Sequence, residues 1–371
     1  MRLKPINSIR EGDILGKTLY TAQGLVLLKQ GTLLNQLHIM RIKAHGYYSI
    51  YIKDDIAVQV EEIVRPQLRR KAVQCLENIF VNFGRYNQLK QKGGHIDPEM
   101  EKVIKSQMAT DVDLIAGELV EEVLCNRDVA VSIADIRSMD IYTYQHSVSV
   151  CIMAVVLGIE MELSRNQLKD LAIGALLHDI GKTLVSTELI MSPKILKDEA
   201  LDAVRAHAQL GFDYVKDNER IPRIAKLIVH QHHEKQNGKG YPRALQGDEI
   251  HRYAKAVAIC DVYDALTSDR SYRRAVSPGY ALEYLMSNAG IEFDYDLTCL
   301  FIKKILPFPL GSKVELSNGE IAVVEKLNKH LPLRPIVRLW NADKIYDLEQ
   351  CNYLTIKMML LEDADSHANL G

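Results

Sequence analysis

The sequence predicts a mainly α protein: an all-helical core between a small N-terminal α+β module and a small C-terminal β appendage. Three observations predict it. From about residue 99 to 305, apolar residues recur at spacings of three and four, as packed helices require. Before residue 60, short Leu, Val and Tyr runs are broken by Gly-containing turns, the pattern of short strands. Beyond Pro307 and Pro309 the spacing changes to strand alternation around an Asn-Gly pair, a strong short-range hairpin signal.

The elements follow in order. In residues 1–60, "EGDILGKTLYTAQGLVLLKQGTLL" supplies short strands, "NQLHIMRIKAHG" a helix capped by Asn35 and stopped at Gly46, and "YYSIYI" a closing strand. No role is read for this module. Residues 61–125 read as a helical linker region, charged over 62–92 and interrupted by "QKGGHIDPEM". Residues 126–305 read as the main helical domain, with Asp140 and Ser164 as helix starts and Asp111 as another just upstream. The apolar run near 148–159 is too short to span a bilayer and reads as a buried helix. In 306–361, "GSKVELSNGEIAVVEKL" forms a hairpin about Asn318-Gly319, and "PIVRLW" and "NYLTIKMM" add strands. Residues 362–371 read as a disordered tail.

Composition narrows the class. A chain of 371 residues suits two or three domains, and 47% hydrophobic with 25% charged residues is an ordinary globular balance. A formal net charge of -2 gives no general attraction to a nucleic acid polymer or an anionic membrane. The six cysteines form no CxxC pair and several sit among apolar residues, which reads as buried reduced thiols. The N-terminus has no apolar signal core, so a cytoplasmic protein without membrane insertion is expected.

The chemistry concentrates in histidines. "VHQHHEKQNGKGYP", residues 229–242, puts three into four positions, and six of the chain's 12 lie between 146 and 233: His146, His178, His207, His230, His232 and His233. Taken singly, His146 reads as a hydrogen-bonded core histidine, His207 as an exposed helical residue and Asp261 as a buried helix acid. Asp179, in "LLHDIGK", is different. An acid after an apolar helix gains nothing from the C-terminal dipole, and a bound cation would offset that cost. A metal centre accounts for all of these residues together. Imidazole and carboxylate ligands suit iron, manganese, zinc or nickel. One bridging carboxylate can hold two ions roughly 3.5–4 Å apart, as in two-metal phosphoester cleavage.

"HDIGK" at 178–182, "HHEKQNGKGYP" at 232–242 and "DVYDALTSDRSYRRA" at 261–275 together resemble the HD-GYP family, a bacterial branch of the HD phosphohydrolases. Their order and spacing match from about 140 to 285, with flanking helices to about 305. The resemblance implies an all-helical domain that hydrolyses cyclic di-GMP to pGpG, and further to GMP as an open step, using hydroxide held between two metal ions. Iron or manganese come first as the metals, zinc or nickel next.

Residue by residue, the resemblance assigns His146, His178, Asp179 and Asp261 to one ion, and Asp179, His207, His232 and His233 to the other. Asp179 is thus the bridge. Lys182 is placed near the phosphate, where its charge aids the transition state. Tyr241, Arg270 and Arg273 are placed on the nucleotide, and Arg274 is read as solvated. His230 falls outside the ligand set. Gly238 and Gly240 are expected to permit backbone conformations closed to other residues, and so to aim Tyr241. Asn237 and Ser271 replace the Asp and Pro of many relatives, changes expected to be minor. Tyr142 stands where relatives with a third metal carry Glu, so two metals are expected. The alternatives are an HD-type hydrolase of another nucleotide and a non-catalytic cyclic di-GMP receptor. Self-association is left open.

Overall fold

A computed structural model describes residues 2–21, 26–45, 47, 49–53, 63–91, 98–126, 131–132, 142–190, 198–268, 276, 278–306, 308, 310–328, 331 and 333–360. The N-terminal module contains β1 (Arg2–Pro5), β2 (Leu19–Tyr20), β3 (Val26–Leu28), α1 (Gln36–Ala44) and β4 (Ser49–Ile52). β1 pairs antiparallel with β4, and β2 with β3. Asn35 caps α1 as expected, its side chain accepting from the His38 amide at 2.9 Å. The module has its own small core, including Leu15, Leu34, Ile42 and Ile50.

The helical body begins earlier than the sequence reading placed it. α2 (Pro66–Gln91) and α3 (Pro98–Cys125) fill most of the stretch read as a linker. Phe80, Phe83, Val112 and Leu119 on these helices are buried in the same core as Ile152, Leu171 and Val257. The two helices therefore do not merely connect: their described apolar faces complete the core. Asp111 does not start a helix either. It lies within α3 and accepts a hydrogen bond from Gln107 at 2.8 Å. The helix starts at Pro98, where a missing N–H costs nothing, with Glu99 and Glu101 suited to the positive end of its dipole.

The remaining helices are α4 (Tyr142–Glu160), α5 (Arg165–Leu177), α6 (Thr187–Ile190), α7 (Asp198–Arg205), α8 (His207–Val215), α9 (Arg223–Gln231), α10 (Arg252–Thr267), α11 (Pro278–Ser287) and α12 (Tyr295–Lys304). α4 carries the long apolar run and is buried around its circumference from Val148 to Leu157, which explains its lack of a polar stripe. Ser164 starts α5 with a reciprocal capping box to Gln167. Asp140 lies outside the described residues. Cys151 and Cys260 are fully buried free thiols, and burial pushes both above the usual thiol range.

β5 (Val131–Ser132) pairs parallel with β6 (Ile305–Leu306). The C-terminal appendage is a five-stranded antiparallel sheet built from β7 (Lys313–Leu316), β8 (Ile321–Lys326), β9 (Ile336–Leu339), β10 (Ile345–Asp347) and β11 (Ile356–Met359), in the order β10-β9-β8-β7-β11. Asn318-Gly319 makes the β7–β8 turn, with Gly319 at φ 83°. β10 was not foreseen. The tail at 362–371 lies outside the described residues. No described helix is long and apolar enough to cross a membrane.

Candidate metal centre

Five segments of the helical body converge on one buried cluster. His146 projects from the first turns of α4. His178 ends α5, and Asp179 leads into a 3-10 turn over Ile180–Leu184. His207 opens α8, His232 ends α9 with His233 next to it, and Asp261 lies within α10. Gly181 sets one of these distances. A Cβ there would fall onto the carbonyl of His207 and within 2.6 Å of the Gly211 amide nitrogen. Only glycine lets the 3-10 turn lie backbone to backbone on α8, which brings His207 beside Asp179.

Asp179 faces both halves of the cluster. Its Oδ2 is 3.4 Å from His178 Nε2 and 3.8 Å from His146 Nε2, while its Oδ1 is 3.4 Å from His207 Nε2 and 3.9 Å from His232 Nε2. Two groups of donors result, each with its atoms within 4.8 Å of one another: His146, His178 and Asp179, and Asp179, His207, His232 and His233. Asp261 lies across the two. Its Oδ1 is 3.0 Å from His146 Nε2 and its Oδ2 is 3.8 Å from His233 Nδ1.

The imidazoles are oriented from behind. His178 Nδ1 lies 2.7 Å from the Ala175 carbonyl, His207 Nδ1 2.7 Å from that of Val204, and His232 Nδ1 3.0 Å from that of Val229. A carbonyl only accepts, so each Nδ1 carries the proton and each Nε2 presents a lone pair to the cluster. His207 Nε2 and His232 Nε2 therefore face each other at 3.3 Å as two acceptors. A cation between them relieves that arrangement. His178 Nε2 and Asp179 Oδ1 are likewise buried without a hydrogen-bond partner. The donor set fits divalent metal ions.

The electrostatics agree with this chemistry. Burial lowers the pKa of His207 to about 4 and that of His233 to about 3, and it holds His232 well below the usual imidazole range. These rings are neutral, as ligands must be. Burial opposes ionisation of Asp179, yet the Lys182 ammonium beside it holds it well below the usual carboxylate range. Burial also disfavours charge on Asp261, and His146 outweighs it. For His146 itself, burial would lower the pKa, but hydrogen bonds to Asp261 and Asp264 raise it to about 9. The carboxylate pair that holds a proton there is equally suited to a divalent ion.

Lys182 Nζ sits 2.5 Å from Asp179 Oδ2, within the cluster. Tyr241 stacks on His233, with ring centroids 4.7 Å apart, and approaches His207 edge-on at 6.3 Å. His230 is not part of the cluster: its Nε2 bonds Gln209 Oε1 at 2.8 Å and its ring stacks on Phe212. Arg270, Arg273 and Arg274 lie outside the described residues, as does the side chain of Tyr142. The glycines of the "NGKGYP" loop act in two ways. Gly238 has φ 71°, as expected, whereas Gly240 is required by close approach, since a Cβ would lie 2.6 Å from the His233 carbonyl oxygen.

Two residues escaped the sequence reading. Asp264 accepts from His146 Nδ1 at 2.7 Å, a buried carboxylate behind a donor imidazole. Its spacing of three from Asp261 on one helix was the available signal. Glu234, also buried, accepts from the Arg243 and Leu245 amides at 2.7 and 2.9 Å and so ties down the loop that carries Tyr241. Nothing in the sequence distinguishes it from a solvated acid.

Comparison with known proteins adds the family. An HD domain model matches residues 128–297. The chain is 31% identical over 244 residues to a cyclic di-GMP phosphodiesterase of Pseudomonas aeruginosa, covering 66% of this chain and 58% of that protein. It is 32% identical over 136 residues to a cyclic di-GMP phosphodiesterase response regulator of Xanthomonas campestris pv. campestris, covering 36% of each. It is 34% identical over 128 residues to a 3'3'-cGAMP-specific phosphodiesterase of Vibrio cholerae, covering 34% of this chain and 24% of that protein. The chain thus spans between about a quarter and three fifths of the length of these relatives. Residues 128–297, which carry the buried His/Asp cluster and the motifs at 178–182 and 232–242, thus match an HD domain.

Proposed function

We propose that the chain is a metal-dependent phosphodiesterase that opens cyclic di-GMP to the linear dinucleotide pGpG, with GMP as a slower second product. The observation that carries this reading is the carboxylate of Asp179, one oxygen toward His178 and the other toward His207, at the junction of two buried donor groups. The names of the Pseudomonas and Xanthomonas relatives support the substrate.

Seven side chains would hold two divalent ions: His146, His178, Asp179 and Asp261 for one, and Asp179, His207, His232 and His233 for the other. This mixed imidazole and carboxylate set suits iron, manganese, zinc or nickel, and the motif resemblance puts iron or manganese first. Bound there, such ions supply Lewis acidity and a nucleophile ionised near neutral pH. The protein's own groups supply position and charge. Lys182 is the cation beside the reacting phosphate, released from Asp179 toward it. Tyr241, braced on His233, orients the nucleotide. Arg270 and Arg273 are the further nucleotide contacts the motif implies.

A second reading, an HD-type hydrolase of another cyclic dinucleotide, is favoured by the Vibrio relative named for 3'3'-cGAMP. Purification without oxygen, metal analysis, and chromatography of the products from cyclic di-GMP, 3'3'-cGAMP and pGpG test both. Expected are two ions per chain and fastest cleavage of cyclic di-GMP. Faster cleavage of 3'3'-cGAMP transfers the assignment to the second reading. Stoichiometric binding without turnover by metal-loaded protein would make the chain a receptor.

A further inference from the structure

Arg205 is the last residue of α7, two residues before His207. The turn between them does two things at once. The Val204 carbonyl fixes the His207 ring, and the next side chain, Arg205, lies with its guanidinium carbon 5.6 Å from the centre of the Tyr241 ring. Tyr241 in turn stacks on His233. The cation is thereby held in fixed register with the metal ligands, one aromatic ring beyond them. A guanidinium over a ring is restricted in orientation, which lowers the entropy cost of using it to bind.

Its charge is poorly matched by the protein. The ion pair to Asp202 is 3.4 Å long, between side chains 48% and 74% exposed. Charge-assisted N–H···O bonds are normally about 2.7–2.9 Å, and exposed pairs of this kind contribute little. Among the described residues the guanidinium makes only this one long hydrogen bond, and its side chain is half exposed. A planar fork of donors matches a phosphodiester, which offers two equivalent oxygens.

A cyclic dinucleotide carries two phosphodiesters. The metal centre and Lys182 serve the one that reacts. The ring of the substrate holds the other at a distance, where it needs a cation outside the ligand set but fixed relative to it. We propose that Arg205 is the subsite for this second, non-reacting phosphodiester. The proposal rests on the cyclic dinucleotide reading above and adds to it a residue that selects substrates with two phosphates over those with one.

The test compares cyclic di-GMP with bis(p-nitrophenyl) phosphate, a diester with a single phosphate, on full-length metal-loaded protein. Removing a charge-assisted contact predicts that Arg205→Ala lowers kcat/KM for cyclic di-GMP about ten- to a hundredfold more than for bis(p-nitrophenyl) phosphate, mostly through KM. Metal content should match the parent protein. Arg205→Lys keeps the charge, loses the fork and should fall between. The differential should shrink in a Tyr241→Ala background, because the ring orients the guanidinium, but it should persist. If it vanishes there, Arg205 only positions Tyr241, and the subsite is wrong. Equal losses on both substrates, loss of metal, or no loss also overturn it. If the parent protein cleaves bis(p-nitrophenyl) phosphate but no cyclic dinucleotide, the substrate reading has failed and the subsite falls with it. If the parent cleaves cyclic di-GMP and Arg205→Ala does so equally well, only the subsite has failed.

Discussion

Replacing Asp264 by Asn should perturb one of the two donor groups and spare the other. Asp264 is not a proposed ligand. It accepts from His146 Nδ1 at 2.7 Å, and both side chains are almost wholly buried. A hydrogen bond to a charged acceptor contributes roughly 1.5–3 kcal/mol, and loss of a carboxylate behind a metal-bound imidazole typically lowers metal affinity by about 10–100-fold. Asn keeps an acceptor but no charge, so the lower end applies: about a tenfold loss. Ala leaves a buried N–H unpaired, costs roughly 1–3 kcal/mol more, and should approach or pass a hundredfold loss. The loss should be local. His207 and His232 are oriented by backbone carbonyls of Val204 and Val229, which the substitution does not touch. Chelator competition with plasma mass spectrometry gives the total. Anomalous scattering assigns it to a position. Expected is early loss of the ion between His146 and His178, with the ion among His207, His232 and His233 retained. Equal depletion of both, or an Ala variant that binds metal better than Asn, would refute the assignment of Asp264 as the carboxylate that orients His146.

Three further outcomes are expected. Asp179→Ala removes the carboxylate shared by both donor groups and should abolish turnover and deplete both ions; near-parental activity with two ions bound would remove Asp179 from the bridge. Gly181→Ala forces a methyl against the α8 backbone, which should cost about 1–3 kcal/mol as measured by denaturant unfolding. It should also weaken metal binding at His207 more than at His146. Acid should act on the same cluster. His207 and His233 have folded pKa values of about 4 and about 3, below the unfolded value of about 6.5, so the unfolded chain binds more protons as pH falls. Their contribution to stability is complete above about pH 6.5 and is lost between there and the folded values, at up to about 1.4 kcal/mol per pH unit for each ring. His146 behaves oppositely: raised to about 9, its contribution is complete below about pH 6.5 and lost as pH rises through 9. Melting temperatures of chelator-treated protein should therefore fall on both sides of neutrality; a curve flat from pH 4 to 7 would contradict neutral imidazoles at His207 and His233.

The sequence by itself determined the helical class, the strand-rich ends and the hairpin at Asn318-Gly319, while its resemblance to the HD-GYP motifs singled out the candidate donors. The first three depend on information that is local or repeated along the chain: apolar spacing and turn chemistry. That resemblance also left His230 outside the ligand set, although it lies only two positions before His232. Tertiary structure decided what depends on approach between distant segments. Asp264 is 118 positions from His146, so its role appears only when α10 lies against α4. Gly240 is required because another strand of its own loop comes too close for a Cβ, which a backbone propensity does not encode. The stretch 61–125 reads as a linker because it is rich in charge, while Phe80, Phe83 and Leu119 on its described helices close the main core. The tautomers of three imidazoles were fixed by carbonyls whose directions exist only at folded helix ends, and Arg205 acquired its place beside Tyr241 in the same way. Residue type set which atoms can bind a cation. Packing set which lone pairs face one another, because the cost of leaving them so arises only once the helices have excluded water.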